Sequence, residues 1–290
     1  MELSSKGHFP LQLPGHHLAW QKLGAVPSTL LIPLAARARG ASLFPQLDPH
    51  DVCANEVLEA LHTNVQTYLN DWMTVLNVLW RTQAIKRMGL DFFGRHPNSQ
   101  GVNLGAGLSN YFQWFDNGRN RWLDADLPEV MTLRQLIFHV LPPHCRHQTL
   151  NIARPGWWRR LKLPRGKRGR PVLLICEGVL MYLKPTQVHA VLQEISDNAP
   201  PGSEFVFDFI SPVGIGTACL HPSVKDTGAE FMWGMRHVPQ FVQTFPGLEM
   251  LEQRSVSEAY GMACCLTELL TAPFTGGPLY GLIRLGTAPA

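Results

Sequence analysis

Hydrophobic residues in the first third of the chain recur every three or four positions. One series holds Leu58, Leu61, Val65 and Leu69, and the next holds Trp72, Val75, Leu76 and Leu79. Such spacing gathers apolar side chains on one face of a helix. It predicts a helical region from Ser28 to about Phe93, in which no alternating strand pattern occurs.

From Gln100 onward, short apolar runs that end in Gly or Asp alternate with longer helical stretches. The runs are GVNLGAG from Gly101, RWLDADLP from Arg121, VLLICEG from Val172 and EFVFDFIS from Glu204. Strands that alternate with helices indicate a mostly parallel sheet with helices on both faces.

Two late runs, LEMLEQRSV from Leu248 and LYGLIRLGT from Leu279, are separated by one helical segment. They predict an antiparallel pair of strands at an edge of the sheet. The sequence Gly276-Gly277-Pro278, just before the second run, is typical of a turn.

The composition is that of a folded protein of 290 residues, of which 45% are hydrophobic and 16% charged. It excludes a disordered chain and is enough for one large domain or two small ones. The net charge of +3 conceals a basic segment, Arg159 to Arg170, that holds no acidic residue. We interpret this segment as a solvated loop, and the alternative is contact with nucleic acid, an anionic membrane or an anionic partner.

The cysteines show neither CxxC spacing nor a neighbouring histidine cluster, which predicts reduced thiols and no metal site. They are Cys53, Cys145, Cys176, Cys219, Cys264 and Cys265. The first ten residues lack the apolar core of a secretion signal. The longest mainly apolar stretch, residues 23–36, falls short of the roughly 20 residues that span a bilayer. We therefore expect a soluble, cytoplasmic protein with no membrane partner.

A glycine turn is the feature of the sequence that most strongly indicates a ligand-binding site. In VNLGAGLSNYF a strand runs into Gly105-Ala106-Gly107 and then into a helical segment. Glycines let the backbone approach a ligand closely, and the amides of a following helix can face it. Asp124 and Asp126 follow at about the 20-residue separation at which a second-strand carboxylate meets ribose hydroxyls. The alternative role of Asp126 is a helix N-cap ahead of Pro128.

Two features that the sequence lacks reduce the number of candidate ligands. A dinucleotide fingerprint has a third glycine where this chain has Asn110, and no lysine follows the glycines as it does in a phosphate-binding loop. An adenosine ligand without phosphates fits better, and S-adenosylmethionine is such a ligand. A nicotinamide-dependent oxidoreductase is the alternative.

Motifs along most of the chain form a specific combination. They are Ala35-Ala36-Arg37-Ala38-Arg39, Leu47-Asp48-Pro49, Arg81-Thr82, residues 102–108, Asp126-Leu127-Pro128-Glu129-Val130, residues 177–183, Phe231-Met232-Trp233-Gly234 and Pro278-Leu279-Tyr280-Gly281. With these motifs the chain resembles the leucine carboxyl methyltransferase family and its bacterial polyketide O-methyltransferase relatives of the tetracenomycin type. The resemblance implies a Rossmann-like seven-stranded methyltransferase sheet. It also implies a helical cap over residues 1–95 and a cofactor domain over residues 96–290, with a lid insertion near 210–242.

The resemblance implies a set of residues that bind S-adenosylmethionine. Arg81 would pair with the cofactor's carboxylate. Gly105 and Gly107 would lie against its methionine and ribose parts, and Asp126 would accept hydrogen bonds from the ribose hydroxyls.

Two further residues are implied near the cofactor, and two positions depart from the family pattern. Glu177 would face the amino-acid end, and Asn151 would contact the adenine edge. Many relatives read Asp-Thr-Arg where this chain reads Ser109-Asn110-Tyr111, and Lys86 stands where an acid is common. These departures weaken the site or are offset by hydrogen bonds of Ser109 and Asn110. They leave open a noncatalytic methyltransferase-like binding protein.

The predicted reaction is O-methylation of a carboxylate or hydroxyl on a small, aromatic or polyketide-like acceptor, and the alternative is methylation of a protein's C-terminal carboxylate. A carboxylate needs no general base, whereas a phenol does. Tyr182, His221 and His237 are candidate bases by position. We expect the N-terminal helices and residues 210–242 to form the acceptor pocket. We expect no nucleic-acid partner, and a monomer or homodimer.

Overall fold

The structure, a computed structural model, describes residues 27–61, 63–138 and 140–287. Its helices are α1 (Leu31–Arg39), α2 (Val52–Leu61), α3 (Gln66–Leu69), α4 (Trp72–Arg95), α5 (Phe112–Phe115), α6 (Pro128–Ile137), α7 (Trp157–Arg160), α8 (Pro185–Asn198), α9 (Val238–Val242), α10 (Ser257–Tyr260) and α11 (Met262–Thr275). Its strands are β1 (Gln100–Leu104), β2 (Arg121–Asp126), β3 (Cys145–Thr149), β4 (Val172–Cys176), β5 (Glu204–Ile210), β6 (Glu249–Ser255) and β7 (Tyr280–Gly286). Residues 1–26, which carry the expectation about a secretion signal, lie outside the described part.

The strands form one sheet in the order β3-β2-β1-β4-β5-β7-β6, surrounded by helices. The pairs β1–β2, β2–β3 and β4–β5 are parallel, and β7 runs antiparallel to both β5 and β6. The predicted Rossmann-like seven-stranded methyltransferase fold is therefore confirmed, including the antiparallel pair at the edge.

The chain divides into two compact units between Leu150 and Asn151. The predicted boundary between residues 95 and 96 stays a prediction. In the first unit the predicted helical region is present as α1 to α4, and the part of it that the structure describes holds no strand. A buried apolar cluster joins α1, α2 and α6 to Leu108, the residue that follows the glycine turn. The N-terminal helices and the glycine turn thus share a core.

The second unit has an apolar centre in its two parallel strands. Every residue of β4 and β5 is buried, as expected for strands covered on both faces. Gly276 ends α11 in a left-handed conformation just before β7. Trp157 and Trp158, which directly precede the basic segment, are buried, so neither ring is available to stack on a base. The interpretation of that segment as a solvated loop stays a prediction.

Among the described residues, none of the helices combines the length and the apolar character needed to cross a membrane.

Candidate active site

The turn after β1 is folded against the end of β2. Gly105 and Gly107 adopt positive φ angles of 70° and 51°, which side-chain-bearing residues rarely adopt. The amide of Gly105 donates to the carbonyl of Ala125 at 2.8 Å, and the amide of Gly107 donates to Oδ2 of Asp126 at 2.7 Å. The predicted residues Gly105, Gly107 and Asp126 therefore do come together.

Asp126 accepts backbone hydrogen bonds on both carboxylate oxygens. Its Oδ1 takes the amide of Leu127 at 2.7 Å. Burial raises the pKa of Asp126 above its usual value, although the amides of Gly107 and Leu127 oppose this shift. The N-cap alternative is wrong, because Leu127 holds the cap position of α6 and no side chain bonds there. Each carboxylate oxygen retains acceptor capacity for a ligand hydroxyl.

The buried side chain of Arg134 forms hydrogen bonds with the glycine turn. The Nη1 of Arg134 donates to the carbonyls of Gly107 and Ser109, each at 2.8 Å. Its Nη2 donates to Oδ2 of Asp124 at 2.6 Å, and both side chains of this ion pair are 1% exposed. Burial by itself would raise the pKa of Asp124. The charge of Arg134 and the hydrogen bonds from His147 and Trp122 outweigh this effect, so the pKa of Asp124 is lowered. The guanidinium of Arg134 thus holds two carbonyl groups of the turn, and the carboxylate of Asp124 balances its charge.

The turn that contains the departures at Ser109 and Tyr111 is thus held by a buried ion pair between Asp124 on β2 and Arg134 on α6. Sequence reasoning missed Arg134, because a single cation in an amphipathic helix looks like a solvent-exposed residue. Its two leucine neighbours, Leu133 and Leu136, gave no signal of a buried charge.

Asp124, Cys145 and His147 have potential metal-ligand atoms within 4.8 Å of one another. The Asp124 carboxylate already forms an ion pair with the guanidinium of Arg134. The positive charge beside Asp124 is therefore supplied by Arg134. Burial, followed by the charge of Asp124, raises the pKa of the Cys145 thiol and keeps it protonated. The expectation of no metal at this group stays a prediction.

Ser109 and Asn110 hold the turn in different ways. The Ser109 hydroxyl donates to the carbonyl of Ala106 at 2.8 Å and accepts from Nδ2 of Asn103 at 2.9 Å. The hydrogen bonds expected of Ser109 are therefore present. Asn110 instead donates through Nδ2 to Sγ of Cys53 at 3.2 Å. It links the turn to α2, at the position where a dinucleotide site would have its third glycine.

Helix α4 carries the second departure and one predicted cofactor residue. Lys86 donates to the carbonyl of Pro49 at 2.8 Å, and its Nζ lies 4.8 Å from the ring centre of Trp114. Burial lowers the pKa of Lys86, although Asp51 and Asp48 oppose the shift. Lys86 thus anchors the Leu47-Asp48-Pro49 motif. Arg81 is half-buried on the same helix, and its role towards the cofactor carboxylate stays a prediction.

In the second unit, a similar glycine contact follows β4. Gly178, with φ of 66°, donates its amide to Oδ1 of Asp208 at 2.6 Å. The hydroxyl of Tyr280 donates to Oδ2 of the same carboxylate at 2.6 Å. Asp208 is fully buried on β5, and it fixes the turn that carries the half-buried Glu177. Sequence reasoning missed Asp208, since nothing along the chain couples it to residue 178.

Two motifs of the second unit lie against each other. The amides of Met232 and Trp233 donate to the carbonyl of Met181 at 2.8 and 3.2 Å. The rings of Tyr182 and Phe231 are 5.5 Å apart, and His221 lies 6.2 Å from Phe231. The segment predicted as a lid therefore packs Phe231 onto the turn that follows β4.

Three further predicted residues, Tyr182, His237 and Asn151, lie in the second unit. Tyr182 is half-buried beside Phe231. His237 is exposed and directly precedes α9 as its N-cap residue, with φ of 52°. Asn151 is exposed, and its Oδ1 accepts the amide of Ala153 at 2.9 Å. The roles of these three residues stay predictions.

The sequence pattern of the leucine carboxyl methyltransferase family matches residues 33–196. The tetracenomycin polyketide synthesis O-methyltransferase TcmP of Streptomyces glaucescens is 25% identical over 241 residues, which cover 82% of this chain and 86% of that protein. The S-adenosyl-L-methionine-dependent methyltransferase dpfgK of Gibberella zeae is 25% identical over 258 residues, with coverages of 82% and 85%. A solved DUF574 family protein from Streptomyces avermitilis has a TM-score of 0.49 and 17% identity, and the match covers 76% of this chain and 87% of that one.

The glycine turn fits S-adenosylmethionine. A Cβ added to Gly107 would lie 3.0 Å from Cδ2 of Leu30, so a side chain at this position would crowd Leu30 and would also strain the positive φ angle. Asp126 offers carboxylate oxygens at the position where ribose hydroxyls are bound in nucleotide folds. The family match also decides against a nicotinamide-dependent oxidoreductase. Since more than half of its length matches the family pattern, the chain belongs to the leucine carboxyl methyltransferase family and is an S-adenosylmethionine-dependent methyltransferase.

Proposed function

We propose that the protein O-methylates a carboxylate or hydroxyl of a small, aromatic or polyketide-like molecule. The observation that carries this proposal is the ring cluster of Tyr182, Phe231 and His221 on the turn after β4. Aromatic side chains offer flat apolar surface to a ring-shaped ligand. The similarity to TcmP, an O-methyltransferase of polyketide synthesis, supports the same acceptor class.

S-adenosylmethionine would be held by the residues that the resemblance implies. Asp126 would accept from ribose hydroxyls, with Gly105 and Gly107 against the methionine and ribose parts. Arg81 would pair with the carboxylate of the cofactor and Glu177 with its ammonium group. Asn151 would bond the adenine edge. Bound there, S-adenosylmethionine supplies a methyl group activated by its sulfonium.

The protein's own contribution to the reaction is alignment and exclusion of water. The Phe231 and Trp233 side chains, both buried, would cover the reacting atoms. A carboxylate acceptor is ionised at neutral pH and needs no base. For a phenolic acceptor, Tyr182 or His237 would receive the proton. The proposed partner is thus a small molecule, with no nucleic acid or membrane involved.

An acceptor panel tests the proposal. Purified protein with S-adenosylmethionine is offered aromatic acids, phenols and a peptide with a free C-terminal leucine, and S-adenosylhomocysteine release is measured. We expect turnover with an acid or phenol. The base lability of the product then tells a methyl ester from a methyl ether. Turnover with the peptide alone would replace the proposal with protein carboxyl methylation.

A binding experiment tests the site residues separately. Calorimetric titration with S-adenosylhomocysteine is compared for the native protein, Asp126→Ala and Asp91→Ala. Asp91 is an exposed carboxylate on α4 that pairs with Arg95, so it is the matched control. We expect Asp126→Ala to lose at least about tenfold in affinity, which is the effect of one charge-assisted hydrogen bond. Equal affinity of the two variants would exclude Asp126 from the site.

A further inference from the structure

Helix α11 exposes a large apolar face. Met262, Leu266, Leu269, Leu270 and Phe274 are 79%, 56%, 71%, 75% and 82% exposed. Their spacing of three and four residues places them on one side of the helix. Contiguous exposed apolar surface of this kind marks an interaction site more often than a solvated surface.

This face carries no charge of its own. Glu268 is the only charged residue in α11. It accepts a hydrogen bond from the hydroxyl of Ser255, at the end of β6, at 2.5 Å. The carboxylate therefore points back to its own sheet, on the side of the helix opposite the apolar residues. A partner that covers the face must itself be apolar and uncharged.

The shape and composition of α11 decide against a small ligand and a lipid surface. Small molecules bind in concave pockets that enclose most of their surface, whereas these side chains project more than half exposed from a convex helix. Helices that lie on membranes carry Lys and Arg along their polar side, and α11 has neither.

The exposed apolar area of α11 is large enough for an interface with a second copy of the chain. Five large side chains at these exposures offer on the order of 500 Å² of apolar surface. Two such faces together would bury about 1,000 Å², which is the lower limit of a specific interface. An uncharged apolar face complements itself, as the two-fold axis of a homodimer requires.

We propose that the protein forms a homodimer through antiparallel packing of α11 against α11 of a second copy. The two-fold axis passes near the middle of the helix, so Leu266 and Leu270 lie beside it, and Met262 of one copy approaches Phe274 of the other. This proposal is independent of the acceptor, because every observation behind it lies on α11 and the end of β6.

Sedimentation equilibrium of the full chain tests the dimer. We expect a dimer at micromolar concentration for the native protein. Leu270→Glu places two carboxylates beside the axis, so the dissociation constant should rise about 100-fold or more. The control is Leu90→Glu, at a leucine that is 47% exposed on α4, and it should leave the dimer intact. A native monomer at about 100 μM, far above micromolar dissociation constants, would overturn the proposal, as would a Leu270→Glu protein that stays dimeric.

A mixing experiment separates loss of the interface from misfolding. Leu270→Glu and Leu270→Lys should each be monomeric, because like charges meet across the axis. Equal amounts of the two should form a heterodimer, since opposite charges then face each other. Failure of the mixture to associate would contradict the proposed position of the axis.

Discussion

The Arg134 guanidinium donates a 2.8 Å hydrogen bond to the carbonyl oxygen of Gly107, whose amide in turn donates to Asp126. One peptide link of the glycine turn is therefore held by the buried guanidinium of Arg134 and the other by the half-buried carboxylate of Asp126. The turn is already ordered without a ligand, which reduces the conformational entropy that is lost on binding.

We predict that Arg134→Met loses stability and cofactor affinity together. Breaking a buried ion pair leaves Asp124 uncompensated, which costs about 3 to 5 kcal/mol of unfolding free energy. Loss of the bonds to Gly107 and Ser109 should weaken S-adenosylhomocysteine binding about tenfold. Denaturant unfolding and calorimetry measure the two effects.

The double variant Arg134→Met with Asp124→Asn is the control for this prediction. Removing both charges should restore most of the lost stability, because no charge remains buried alone. The binding defect should persist, since the two turn carbonyls still lack their donor. Full recovery of affinity in the double variant would show that Arg134 acts on stability alone.

The raised pKa of Asp126 predicts a pH-dependent affinity. Burial favours the protonated carboxyl, which accepts hydrogen bonds less well than the carboxylate. As pH falls through this raised pKa, S-adenosylhomocysteine affinity should therefore decline, and it should do so at higher pH than for an ordinary Asp of pKa near ~3.9. Titrations from about pH 8 to about pH 3, which pass through the ordinary pKa of an Asp, measure this dependence. Asp126→Asn should bind weakly at every pH, whereas Asp91→Asn should follow the native protein.

Gly107→Ala and Gly118→Ala form a matched pair for the turn. Both glycines have positive φ, 51° and 73°, so alanine should cost about 1 to 2 kcal/mol at either position. A Cβ on Gly118 meets nothing within 4 Å, and Gly118→Ala should bind cofactor normally. Gly107→Ala presses against Leu30 and displaces the amide bonded to Asp126, so its affinity should fall. Equal affinity in both variants would contradict a cofactor contact at Gly107.

The buried carboxylate of Asp208 predicts a similar pair in the second unit. Asp208→Ala leaves the amide of Gly178 without its acceptor, which should cost about 1 to 3 kcal/mol. It should also weaken cofactor binding through the displaced Glu177. Tyr280→Phe removes only the hydroxyl donor and should cost about 1 kcal/mol, with near-native affinity. Thermal unfolding and calorimetry of both variants measure these differences.

Thiol labelling separates the cysteines by burial. Burial, followed by the charge of Asp51, raises the pKa of Cys53 to about 12, so its reactive thiolate is nearly absent at neutral pH. Cys219 and Cys264 are exposed and should react with iodoacetamide first. Mass spectrometry of the labelled peptides gives the order, and early labelling of Cys53 would contradict its buried, protonated state.

The local sequence was sufficient to predict β1, β2, β4, β5, β6 and β7, the glycine turn and the helical region before β1. It did not predict β3 (Cys145–Thr149), because the residues CRHQT form no apolar run. Apolar runs such as Val172 to Cys176 and the spacing from Gly105 to Asp126 are properties of neighbouring residues, and short-range patterns report them directly. The antiparallel pair β6–β7 was also predictable, because both runs lie close together in the chain.

The residues that fix the turns became evident only in three dimensions. Arg134 is 27 residues from Gly107, Asp208 is 30 from Gly178, and Tyr280 is 72 from Asp208. Their side chains meet because adjacent strands and helices bring distant positions together, and a hydrophobic pattern does not encode which polar groups will pair. The sequence by itself thus determined every strand except β3, the helical region before β1 and the glycine turn. The tertiary structure decided which buried charges hold that turn in place, because such pairing depends on strand order and packing rather than on neighbouring residues.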